Sequence, residues 1–98
     1  MGKRIFAFLL ALVFFSLPLS GCCYFSAKNE IKSAEKLLSD LKGAGGEKLV
    51  PYEYCSAEKF LEISKEEFDE NDYKHAKGFA NRSKSATETG LAEVKKKR

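Results

Sequence analysis

An unbroken apolar run, residues 5–15, set directly behind Lys3 and Arg4, is the feature that most limits what this chain can fold into. Of the first 21 residues, 14 are apolar, so much of the chain's oil lies at one end. The run falls short of the roughly 20 apolar residues a permanent membrane helix needs. Ser16, Leu17 and Pro18 bring it to a close. A basic head, a short apolar core and small residues behind it have the pattern of a secretory signal peptide over 1–21. In that reading Pro18 breaks the helix and leaves the next residues extended for a peptidase. The alternative is a transmembrane helix reaching Phe25. With residues 1–21 set aside, 77 of the 98 residues remain, carrying 15 basic and 14 acidic side chains. That length holds one small domain and excludes an enzyme built around an interdomain cleft.

The four residues Leu19-Ser20-Gly21-Cys22 follow the apolar core directly. They resemble the bacterial lipobox: an aliphatic residue, two small residues, then cysteine. The resemblance implies cleavage after Gly21, a diacylglycerol on the Cys22 sulfur and acylation of the new Cys22 amino group. Each buried methylene contributes about 0.8 kcal/mol, so two or three acyl chains anchor a protein stably where one does not. Cys23, not Asp, comes next. Under the Gram-negative sorting rule that accompanies the resemblance, this favours the outer membrane, with the protein facing the periplasm.

Lipid on Cys22 leaves Cys23 and Cys55 as a pair. An oxidising compartment permits a disulfide. Their places at the starts of two helices set them about 20 Å apart if those helices run antiparallel, against the roughly 7 Å limit between α-carbons. No cysteine or histidine spacing suggests zinc, and no cofactor is implied.

The remainder reads as three helices. Ser26 is a suitable N-cap for a helix to Lys42, with Ile31, Ala34, Leu37, Leu38 and Leu41 at three- and four-residue steps. Gly43-Ala44-Gly45-Gly46 ends it, Gly43 suits the C′ position, and residues 45–50 read as a flexible connection. Pro51 is favoured in a first helical turn, so a second helix starts near Pro51 or Tyr52. Its stripe is Tyr54, Ala57, Leu61, Ser64 and Phe68. Asn71 or Asp72 can cap a third helix, with a stripe of Tyr73, Ala76, Ala80, Ser83, Thr87, Gly90 and Val94. The four-residue turn between these helices predicts an antiparallel αα-hairpin. The expected fold is therefore all-α: a short three-helix arrangement built on that hairpin, preceded by the signal-peptide helix. Phe60, Phe68, Phe79 and Tyr54 are expected to supply much of the core. Helices of this length are marginal alone, which points to a partner, the membrane or a homo-oligomer.

Pro51-Tyr52-Glu53-Tyr54-Cys55-Ser56-Ala57-Glu58-Lys59-Phe60-Leu61, followed by Asp72-Tyr73-Lys74-His75-Ala76-Lys77-Gly78-Phe79-Ala80, resembles the domain-of-unknown-function 4398 family. The resemblance covers about residues 28–94 and implies a short helical-hairpin lipoprotein of a Gram-negative envelope, tetratricopeptide-like in shape. Ser64 and Ser83 stand where that family usually has alanine. The family carries no assigned chemistry. The chain thus divides into a signal peptide (1–21), a lipid-anchored linker (22–27), a hairpin domain (28–94) and a basic tail (95–98).

His75, the sole histidine, falls off the third helix's stripe and reads as solvent-facing, with no orienting partner or nucleophile identifiable for catalysis. The acids between Glu62 and Asp72 lack the alternating ligands and glycine of a calcium loop. They read instead as a solvated turn favouring a helix N-terminus. Without Lys95, Lys96, Lys97 and Arg98, residues 22–94 carry 11 basic and 14 acidic side chains, so the tail alone makes this part basic. It either complements the helix dipole or meets an anionic partner such as lipid headgroups or peptidoglycan. Nucleic acid is excluded for an exported, anchored chain. The expectation is a non-catalytic interaction or scaffold module, held to the membrane through acyl chains on Cys22. Tyr52 and Tyr54, taken as exposed, and the tail would contact an envelope protein or peptidoglycan. The alternatives are a structural tether binding peptidoglycan or anionic lipid through the tail, and a small lytic or toxin-like lipoprotein.

Overall fold

A computed structural model describes the backbone of residues 2–97 and the side chains of residues 23–97. All four elements are α-helices: α1 (Gly2–Gly43), α2 (Gly46–Leu49), α3 (Pro51–Asp69) and α4 (Tyr73–Lys97). The expected lipobox at Gly21 and Cys22 falls outside the described side chains, and Arg98 lies outside the described residues. Among residues 23–97, no helix is long and apolar enough to cross a membrane.

Where a signal helix, a linker and a separate second helix are expected, α1 is one helix. Ser26 is an interior residue, not an N-cap, and residues 23–27 are helical. The cause is tertiary packing on both sides of Ser26. The Tyr24 ring lies 5.2 Å from Phe68 and 5.4 Å from Tyr73, and Ala27 is fully buried. Pro18 does not end the helix either. A proline removes one intrahelical hydrogen bond and leaves those beyond it in place.

The three long helices pack together through small side chains. From α1 come Ala27, Ile31, Ala34 and Leu41, from α3 Tyr54, Ala57, Leu61 and Ser64, and from α4 Ala76, Ala80, Ser83, Thr87, Gly90 and Val94. Six of the seven residues in the expected α4 stripe are buried, with Tyr73 half-buried beside them. Tyr54 supplies core as expected, but Phe60 and Phe79 do not. Both are half-buried and stack on each other, centroids 6.3 Å apart. Alanine and serine along the facing lines bring the helix backbones close, leaving the bulky rings to the flanks. Ser64 Oγ donates to the Ala76 carbonyl at 2.5 Å, and Ser83 Oγ to the Ala57 carbonyl at 2.7 Å. A buried hydroxyl without such a partner would cost about 1–3 kcal/mol.

The glycine-rich segment is structured rather than flexible. Gly45, not Gly43, takes the left-handed conformation, with φ +85°. Residues 46–49 then form one helical turn, and Pro51 opens α3 as expected. Gly46 is buried against Leu41, whose side chain occupies the space a β-carbon would need. Among the described side chains, residues 23–97, the packing therefore has two ends. Leu41, Val50, Tyr54 and Val94 close one, while Tyr24, Phe68 and Tyr73 close the other.

Candidate functional site

The expected contact residues gather at the first of these ends, where α2 leads into α3 and α4 finishes. Tyr52 is 79% exposed, on an outer surface shared with Pro51, Cys55, Ser56, Lys59 and Phe60. Tyr54, expected beside it as an exposed aromatic, is instead 6% exposed and packs with Leu41, Val50 and Val94. Two residues along a helix turn a side chain by about 200°, so Tyr52 and Tyr54 cannot share a face. Burial, reinforced by Glu58 and Glu47, pushes the Tyr54 phenol above its usual range.

The tail is the end of α4. Lys97 Nζ donates to the Leu49 carbonyl at 2.7 Å, tying the last turn of α4 to α2. Lys96 lies 3.6 Å from Glu93 in an exposed pair, a contact worth little in water. Lys95 is exposed. The fold thus brings Tyr52 and residues 95–97 to one end of the molecule, with Lys97 in a structural contact.

At the opposite end, Asp72 precedes α4 and accepts from the His75 backbone N–H at 3.3 Å. Its other oxygen lies 2.7 Å from His75 Nδ1. His75 is exposed as expected, yet it does have an orienting partner, because an N-terminal aspartate reaches the residue three positions on. The His75 side chain, followed by its backbone N–H, holds the Asp72 carboxyl below its usual range. Partial burial, then the charges of Glu70 and Asp72, pushes Glu67 upward. One ligand atom each from Glu67, Asp72 and His75 lies within 4.8 Å of the others, so these are the described residues best placed to hold a cation. Their spacing in the chain offers no metal-ligand pattern. The turn at 70–72, where Asn71 takes a positive φ of 64°, brings Glu67 of α3 to Asp72 and His75.

A third feature lies beside the expected lipid attachment point. Cys23 and Ser26 of α1 face Tyr73, Lys74 and Lys77 of α4 across a groove of about 400 Å³. Cys23 and Cys55 are both free thiols and exposed. In comparisons with known proteins, no family model, curated protein or solved structure matches this chain.

Proposed function

We propose that the chain is a lipid-anchored lipoprotein of a bacterial envelope, acting as a non-catalytic interaction module on the periplasmic side of the outer membrane. The observation that carries this reading is Leu19-Ser20-Gly21-Cys22 placed directly behind the apolar run. Packing of Tyr24 against Phe68 is in keeping with it, because the folded part then reaches to within two residues of the acylated cysteine. In this reading α3 and α4 form an antiparallel hairpin. The paired contacts of Ser64 with Ala76 and Ser83 with Ala57 support that direction, since one partner's number rises as the other's falls. The resemblance to the domain-of-unknown-function 4398 family points the same way. Contact with an envelope partner falls to the end bearing Tyr52.

The test is metabolic labelling with a tagged fatty acid. The wild-type chain takes up label, whereas Cys22→Ala takes up none and accumulates as a larger precursor. Normal processing of Cys22→Ala overturns the reading.

One observation favours a second reading, a tether to peptidoglycan. Lys95 and Lys96 stand exposed at the end away from Tyr24, and hence away from Cys22. Loss of co-sedimentation with cell wall on removing residues 95–98 supports the tether, and unchanged sedimentation excludes it.

A further inference from the structure

The groove between α1 and α4 differs in charge from its counterpart between α1 and α3. The counterpart, lined by Lys28, Lys32 and Lys65, also contains Glu35 and Asp69, and Lys65 Nζ sits 3.1 Å from Glu35. Further along the α1–α4 seam, Lys84 pairs with Glu30 at 3.2 Å. Around Cys23 and Ser26 the lining changes: among the described residues, Lys74 and Lys77 are the charged ones and no carboxylate lines the groove. Neither lysine has an ion-pair partner within 4.0 Å among the described residues. Nearby Asp72 is engaged with His75 instead. Tyr73 adds an amphipathic ring to the groove.

Two unneutralised cations beside a tyrosine match the layer where lipid phosphates meet acyl chains. The groove's edge is one residue from Cys22, whose acyl chains would fix the membrane at this end. We propose that the groove seats the phosphate of an anionic phospholipid headgroup through Lys74 and Lys77, holding this end of the helices in the headgroup layer of the membrane that anchors Cys22. The proposal rests on the lipoprotein reading and adds the surface that faces the bilayer.

Cys23 lines the groove, and Cys55 provides a control away from it. The full chain is purified from envelope membranes, its acylation at Cys22 read by mass spectrometry, and the protein reduced and placed in vesicles. One set is phosphatidylcholine alone; the other contains phosphatidylglycerol at about one lipid in three. Labelling by a water-soluble maleimide is then timed. The expected result is that Cys23 labels at least about fivefold more slowly in the anionic vesicles, the effect of about one lysine near such a surface. Cys55 labels equally in both. Lys74→Gln with Lys77→Gln, both at exposed positions, abolishes the difference.

Equal Cys23 rates in the two vesicles, with Cys22 acylated, overturn the headgroup site and leave the lipoprotein reading standing. Equal protection by inorganic phosphate in neutral vesicles also overturns the proposal, because it marks an anion site indifferent to the membrane. An unmodified Cys22 overturns the lipoprotein reading and the proposal with it.

Discussion

At the scale of single residues, the packing depends on what is missing from certain positions. A β-carbon on Gly46 would stand 2.5 Å from Leu41 Cγ and 2.8 Å from the Leu41 carbonyl oxygen, and Leu41 is fully buried with little room to retreat. Gly46→Ala is therefore expected to cost about 1–3 kcal/mol, the usual penalty of overpacking, as a lower midpoint in thermal or urea unfolding. Gly78 sits inside α4, and a β-carbon there meets nothing within 4 Å. Gly78→Ala is expected to stabilise by about 0.5–1 kcal/mol, since alanine loses less backbone entropy in a helix. Opposite signs for one substitution at two glycines would verify the packing around Leu41. A stabilising Gly46→Ala would contradict it.

Among the elements, α3 and α4 are the most legible in the sequence. Their stripes step by three and four with few competing apolar residues, so spacing alone turns Ala57, Leu61, Ala76, Ala80 and Val94 inward, where they are buried. Even Tyr54 belongs to that line, and an exposed contact role for it runs against the spacing that defines the helix. The start of α1 is not legible, because serine caps a helix or occupies its interior according to what packs upstream. Here Tyr24 reaches Phe68 and Tyr73, residues more than 40 positions away. Residues 46–49 mislead for a similar reason. A glycine pair signals flexibility unless a neighbour fills the space left by the absent side chain, and Leu41 does so. The Glu67, Asp72 and His75 group is hidden because it depends on the path of a three-residue turn.

That turn carries a pH prediction for α4. Asp72 is held below its usual range by His75, so its stabilising contribution is present above the unfolded aspartate value. It is lost as pH falls through the lowered, folded-state value. Asp72→Asn can still accept the His75 backbone N–H but has no carboxylate to protonate. The melting temperature of the wild type is expected to fall more steeply than that of Asp72→Asn as the pH drops through the carboxylate range. Parallel curves would mean the contact with His75 does not support the helix.

For the whole molecule, the basic tail is tied into the fold at one end through Lys97. Removing residues 95–98 breaks the bond from Lys97 to Leu49, an exposed contact worth about 0.5–1.5 kcal/mol. The truncated chain is expected to keep its helical circular dichroism and cooperative melting, so any loss of cell-wall binding can be assigned to the charges rather than to unfolding. Loss of helicity would mean that Lys97 holds α2 in place.

The continuity of α1 also has a mechanical consequence. An anchor joined through a loose linker leaves its cargo free to tumble, but here the helix that follows Cys22 is itself part of the packed structure. From Tyr73, which touches Tyr24, α4 runs 25 residues to Lys97. At about 1.5 Å per residue this is a rod of about 36 Å. With lipid on Cys22, as proposed, its far tip, with Tyr52 nearby, would stand at a set height above the lipid, and a tilt of about 10° at the base would sweep the tip sideways by about 6 Å. In the lipoprotein reading the chain would then be a lever of fixed length, and the number of turns in α4 would decide the thickness of the layer it can span.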